Sequence, residues 1–512
     1  MTAAQRVLLV GTALSASQLC HVLSAIEPQP QIVGCLLPES SATDTDLPAP
    51  VLGDIGELEE TLAAHPVDSV LISLPASMID LHNDVATELQ RIGVAWRWIP
   101  TLADQMAGRL PNPVAANGAQ RDVGSLSSAP LVDPVQLLDR RPRPLDEIAI
   151  GQTLTGKRVL ITGAGGSIGS ELARIVCRFD PAKLILVERS ENALFEIDRD
   201  IARVWPDLQR IARLHDVTDA HSTLALVRRE KPDVIYHAAA HKHVPMMEEH
   251  PSAAIENNFY GTRSIADAAA SVGVGRLVMI STDKAVNPTS VMGCSKRLAE
   301  LYIQHLDARC ETTCCMVRFG NVLGSACSVL PIWTRQLSHG GPITVTHQDM
   351  ERYFMTIPEA AGLVLQSSAF SNPDQGGEVF VLDMGEPVRV VDMAKRFIRS
   401  QSLEPGIDVQ VEFTGVRPGE KLYEELVHTS EDMLATSHES VNILRTTPPN
   451  ESEIALIIAS FDRLRAPRPD GHKWQHASRH AIVAALENAI PEMQPDATKS
   501  ALPGMQPCRA AG

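Results

Sequence analysis

The chain has 512 residues, 44% of them hydrophobic and 21% charged, an ordinary globular balance with material for more than one core. A formal net charge of −17, an aromatic content of 4% and no lysine/arginine run longer than a pair argue against a general nucleic-acid binder. No apolar stretch approaches the roughly 20 residues of a membrane span, so none is expected.

The first series of elements begins with "MTAAQRVLLVG", which goes directly into strand-like sequence and has too short an apolar run for a secretory leader. A cytoplasmic location is the corresponding expectation. Strands follow at "QIVGCLL", "DSVLISLP" and "GVAWRWIP", alternating with helical patterns such as "DIGELEETLAAH". That alternation predicts a small parallel, Rossmann-like domain over residues 1–110. Its first turn, "VGTALSASQ", carries only Gly11, so scaffold or regulatory duty is expected there rather than a second full dinucleotide site. Residues 111–150 are rich in Pro, Asn, Ser and Gly and read as a linker.

A second series opens with "KRVLITGAGGSIGSELARIVCRF" and continues through "KLILVE", "DVIYHAAA", "RLVMIST" and "CCMVRFGNV". The fold class is α/β: two Rossmann-like doubly wound domains, the second (151–445) with a smaller C-terminal substrate-binding part. A helical segment is expected over 446–490 and a disordered tail over 491–512. The nine cysteines contain no CxxC pair, and the Cys310, Cys314, Cys315 cluster has no usual zinc spacing, so no metal is expected.

Gly163, Gly166 and Gly169 lie between an apolar strand and a helix whose buried stripe is Ile168, Leu172, Ile175, Val176 and Phe179. Glycines admit close approach of a pyrophosphate, and the helix N-terminus beginning at Ser167 offers unpaired N–H groups to its charge. Glu188 ends the next strand, where it can accept hydrogen bonds from the adenosine ribose. This favours NAD over NADP, which the neighbouring Arg189 keeps open. Asp216 and Val217 in "HDVTD", with Ala238 and Ala239 in "HAAAHKH", fall where adenine and nicotinamide pass. His241 and His243 read as cleft wall rather than metal ligands.

With "TGAGGSIG" and "STDKAVNPTSVMGCSK" both present, residues 133–445 resemble the extended short-chain dehydrogenase/reductase family. Within it the chain is similar to the nucleotide-sugar 4,6-dehydratases of capsule and glycan biosynthesis that act on UDP-N-acetylglucosamine. "VRFGNVLGS", "GGPITVTHQDMERYFMTIPEA" and "TGVRPGEKLYEEL" extend the match. The resemblance implies that Thr282 bonds the sugar O4 and that Met292 replaces the usual tyrosine. It also implies that Lys296 bonds the nicotinamide ribose, that Asp283 is an acid and that Lys284 is a base. Met292 and Lys296 are four residues apart and share one face of a helix expected to start near Thr289. Oxidation at C4 acidifies the C5–H; the base then removes that proton while the acid protonates the departing C6 hydroxyl, and hydride returns to C6. The lysine must be neutral to act, so a lowered pKa is expected for Lys284. The group that deprotonates the C4 hydroxyl stays open between a water relay and Lys296.

By the same resemblance Lys242, Asn321 and Arg417 contact the nucleotide sugar, and a homo-oligomer is expected through helices flanking the site. Ala326 and Cys327 stand where the family reads Arg-Gly. The expected function is a 4,6-dehydratase, with C5 retention implied by the methionine subtype. A C5-inverting dehydratase, an epimerase and a non-catalytic NAD-binding regulator remain as alternatives.

Overall fold

The computed structural model describes residues 6–24, 30–38, 47–75, 78–99, 101, 137–138, 143–370, 377–401, 403–428, 431–467 and 474–493. Most of the expected linker and nearly all of the expected tail lie outside these residues. The described residues fall into two compact units. One comprises those within Met1–Leu137, Thr334–Ile343 and Ala394–Val411, and the other comprises the remainder. Among the described residues no helix is long and apolar enough to cross a membrane.

In the first unit five parallel strands lie in the order Val51–Asp54, Gln31–Leu37, Arg6–Gly11, Ser69–Ser73, Trp96–Trp98. The alternation of the central strand sends Leu8 and Val10 to one core, with Ile72 and Leu89, and Val7 and Leu9 to the other, with Leu19 and Cys35. Both faces of the sheet are therefore covered, which is why these strands read as continuous apolar runs.

The second unit is built on a nine-stranded sheet. Its order is Asp432–Ala435, Val441–Arg445, Glu378–Leu382, Thr313–Arg318, Arg276–Ile280, Val234–His237, Arg158–Thr162, Lys183–Glu188, Arg210–Leu214. The last seven are parallel, and the first two add antiparallel. Strand order reverses at Arg158–Thr162, so a crevice opens beyond its carboxyl end, next to Val234–His237. The helix Glu147–Leu154 occupies the end of the segment read as linker. Asp146 caps it by accepting from the Ala149 N–H, and Ile150 and Leu154 anchor it in the core.

The C-terminal helices Glu451–Arg463 and Arg479–Ala489 share one hydrophobic cluster with the nine-stranded sheet. Phe461, Ile482 and Leu486 are buried there with Phe259 and Leu298. Each such side chain contributes about 1.5–3 kcal/mol by leaving water. The helix Val291–Asp307 is packed by these two helices.

Candidate active site

The glycine loop follows strand Arg158–Thr162 and leads into the helix Ser167–Cys177. Gly163 has φ +65°, and a Cβ there would sit 2.7 Å from the Ala239 nitrogen. Gly165, which the three-glycine reading passed over, faces Ala193 so closely that a Cβ would lie 2.5 Å from its Cβ. Gly169 lies against the Gly163 carbonyl at a distance no Cβ tolerates. Gly166 caps the helix without any side-chain acceptor, which leaves its first N–H groups open to an anion. Leu172, Ile175 and Val176 are buried as expected, Ile168 is half-buried, and Phe179 lies beyond the helix end.

One cavity is lined by Gly163, Gly165, Gly166, Glu188, Arg189, Asp216, Val217, Ala238 and Ala239. The Glu188 carboxylate accepts from the backbone N–H groups of Gly165 (3.2 Å), Arg189 (2.9 Å) and Ser190 (3.0 Å), tying the loop to the neighbouring strand end. Arg189 donates to Asn257 Oδ1 and contacts His241 Nε2 at 2.7 Å. Asp216 is held by the Thr218 amide and hydroxyl. A cradle that any side chain would fill, an open helix N-terminus and an acidic residue on the next strand together fit a dinucleotide. Ser167 stands slightly apart: its hydroxyl accepts from the Ala326 N–H at 3.0 Å.

Beyond the crevice, strand Arg276–Ile280 runs into Ser281, Thr282 and a single 3-10 turn, Asp283–Ala285. The Thr282 hydroxyl donates to Asp283 Oδ1 at 2.8 Å. Lys284 Nζ donates to the same oxygen at 3.0 Å and to Asn321 Oδ1 at 3.0 Å, and lies 3.5 Å from Glu424 Oε1. The next helix starts at Val291, with Ser290 accepting from the Gly293 N–H, two residues later than the sequence pattern suggested. Gly293 packs on the Lys284 carbonyl at a separation that leaves no room for a Cβ.

Met292 is buried in the apolar core of the same helix, and Lys296 is 4% exposed. Burial pushes the Lys296 ammonium down to about 8, with Glu300 opposing. Lys284 behaves otherwise than expected. Burial disfavours its charge, but the Asp283 and Glu424 carboxylates outweigh burial and raise its pKa. The expected lowering is corrected: two adjacent anions hold this lysine charged, an effect that sequence separation concealed.

Several groups were not visible in the motifs. His237 is fully enclosed between Thr162 and Thr262, at 2.7 and 3.0 Å, and burial with nearby Lys296 pushes it down to about 3, so it is neutral. Asn258 lies in a π-helical turn, Ile255–Tyr260; it joins the His241 backbone to Ser295 on the helix Val291–Asp307. Such turns recur at functional sites because they redirect side chains within a helix.

A second cavity gathers Lys242, Lys284, Asn321 and Arg417 with Arg352, Lys421, Glu420 and Glu424. Five cations against two carboxylates give this cleft a local positive excess within an acidic protein, suited to a diphosphate. Arg417 is forked onto Glu420 at 3.2 and 2.6 Å, and it stays exposed. Lys242 Nζ donates to the Ala326 carbonyl at 2.8 Å. Cys327, in the same loop, has φ +57°, a conformation that favours glycine and costs a non-glycine residue about 1 kcal/mol.

A polysaccharide biosynthesis protein family model matches residues 159–446, more than half of the chain. The chain is 43% identical over 383 residues to the capsular polysaccharide biosynthesis protein CapD of Staphylococcus aureus. That match covers 74% of this chain and 61% of CapD. It is 29% identical over 289 residues to a UDP-N-acetylglucosamine 4,6-dehydratase (inverting) of Campylobacter jejuni, covering 56% of this chain and 81% of that protein. Among solved structures, Pen from Bacillus thuringiensis aligns with a TM-score of 0.53 at 29% identity. The alignment covers 58% of this chain and 92% of Pen. The topology, the glycine cradle and these matches agree: the chain belongs to the polysaccharide biosynthesis protein family.

Proposed function

We propose that this chain is an NAD-dependent UDP-N-acetylglucosamine 4,6-dehydratase that forms a 4-keto-6-deoxy sugar, with retention at C5. The observation that carries this reading is Lys284, bonded to Asp283 and Asn321 in a cavity shared with Lys242 and Arg417. That combination supports reading Lys284 and Asp283 as an acid–base pair and the cleft as the seat of a diphosphate.

The residues that would hold NAD are Gly163, Gly165, Gly166, Glu188, Asp216, Val217, Ala238 and Ala239, with Lys296 toward the nicotinamide ribose. Glu188 supports NAD over NADP, because a carboxylate at the strand end repels a ribose phosphate. When bound, the cofactor supplies a transient oxidation at sugar C4 and its reversal at C6. The chain's own groups do the rest. Arg417 and Lys242 fix the diphosphate, and Thr282 hydrogen-bonds the sugar O4. A proton moved along the Nζ–Oδ1 hydrogen bond makes acid and base at once, neutral Lys284 and protonated Asp283. Lys284 then takes the C5 proton while Asp283 protonates the departing C6 hydroxyl. Lys284 returns its proton to C5, and the O4 proton restores the original charge. Met292 carries no titratable proton, so the C5 step falls to Lys284.

The test is incubation of UDP-N-acetylglucosamine with purified protein and no added cofactor. A product lighter by one water, with no net reduction of NAD, is the expected result. Bound NAD with unchanged substrate would favour the regulatory alternative instead.

A further inference from the structure

Glu424 lies in the segment after Arg417 that the motif reading left without a role. The residue is 8% exposed, with its carboxylate Oε1 at 3.5 Å from Lys284 Nζ and 3.6 Å from Arg352 Nε. Its Oε2 has no hydrogen-bond partner among the described residues, and neither has Asp283 Oδ2. The segment carrying it is fixed from two sides. Arg352 donates to the carbonyls of Lys421 (2.7 Å) and Leu422 (3.1 Å), and Lys421 Nζ donates to the Val286 carbonyl at 3.0 Å. Asn287 also donates to Glu425 at 3.0 Å. The carboxylate is therefore delivered to Lys284 by a built scaffold rather than by a free surface side chain.

Resting on the dehydratase reading, we infer that Glu424 is a positioning residue of the acid–base group. It steadies the Lys284 ammonium between Asp283 and Asn321 and stabilises that ammonium when it re-forms on taking the C5 proton. Arg352 does not need Glu424 as its main anchor, because three backbone carbonyls already accept from its guanidinium. The charged groups around Lys284 are Asp283 on its own turn, Glu424 and Arg352. Lys242, Arg417, Glu420 and Lys421 share the cavity, together with His243, whose charge is disfavoured by burial and by Lys242 and Arg417. Asp283 and Glu424 are the anions within ion-pair distance. Removing one of them lets Lys284 give up its proton at lower pH.

The test uses full-length NAD-loaded protein and the Glu424→Gln and Glu424→Asp variants. Trace acetylation of Lys284 by acetic anhydride, followed by peptide mass spectrometry across pH, reads its charge without requiring turnover. Glu424→Gln is expected to move the Lys284 labelling curve down by about one pH unit or more. It should move the alkaline limb of kcat the same way, lower plateau kcat about tenfold or more and leave KM little changed; Glu424→Asp should restore part of each. An unmoved labelling curve in a folded Glu424→Gln protein would overturn the inference. So would a loss confined to melting temperature or KM. Wild-type protein that labels as expected but fails to dehydrate the nucleotide sugar would sink the dehydratase reading alone.

Discussion

Replacing Lys284 with alanine is expected to lower dehydration by about 10²–10⁴-fold while leaving NAD bound, the usual range for loss of a general base. The reasoning is geometric. Lys284 makes hydrogen bonds to Asp283 and Asn321, and the cofactor cavity is lined by other residues. The variant therefore removes the proton acceptor without touching the cradle. Single-turnover kinetics with a parallel measurement of bound cofactor separate the two. A fall of less than threefold would mean that another group takes the C5 proton, and loss of NAD would mean that the two cavities are not independent. Because the proposed cycle needs the proton that Lys284 shares with Asp283, turnover is expected to fall at high pH as the lysine discharges to solvent, and the neighbouring carboxylates, which raise the Lys284 pKa, hold that limb on the alkaline side.

Replacing Arg318 with leucine is expected to destabilise the catalytic unit by about 3–5 kcal/mol, because it leaves buried carboxylates without their cation. Arg318 is 1% exposed and donates to both oxygens of Glu300, each at 2.8 Å, and to both oxygens of Glu431. Ser281, beside Thr282, donates to Glu300 at 2.6 Å, so the network supports the catalytic turn as well as the sheet. Burial alone would raise the Glu300 pKa, but Arg318, Arg297 and Ser281 hold it down at about 2. A depressed carboxylate stabilises the fold above its ordinary value of 4.5, and the contribution fades as pH falls toward 2. In the leucine variant this acid-side loss should shrink, because most of the pKa depression that produces it goes with Arg318. Urea unfolding across pH measures both effects; a change under 1 kcal/mol at neutral pH would contradict them.

What the sequence made readable was whatever rests on local pattern. The turn at Gly163, the acidic strand end at Glu188 and the Thr282–Lys296 segment each follow from spacing within one strand–helix unit, and all three lie beyond the carboxyl ends of parallel strands of one sheet. Gly165 escaped because its constraint comes from Ala193, on the helix Glu191–Val204 beyond the next strand. Glu424 escaped because it meets Lys284 from 140 residues away in the chain, and Arg352 because it meets Glu424 across 72 residues; no periodicity encodes either meeting. The same cause misdirected the expected charge behaviour of Lys284, since its sign depends on two carboxylates of which only Asp283 is adjacent. The antiparallel strands Asp432–Ala435 and Val441–Arg445 are short, and the first is exposed throughout, so their apolar pattern is weak. Cys327 was noticed as a departure, but its left-handed backbone, and hence the reason a glycine suits that position, is a property of the folded loop.

The most direct test of the central claim is the reaction of UDP-N-acetylglucosamine with purified protein in deuterated water, without added cofactor. The proposed chemistry predicts a dehydrated sugar carrying one deuterium, at C5, and predicts that the Lys284→Ala protein produces none. A dehydrated product without deuterium at C5 would contradict proton exchange through Lys284, and unchanged substrate with NAD bound would contradict the dehydratase itself.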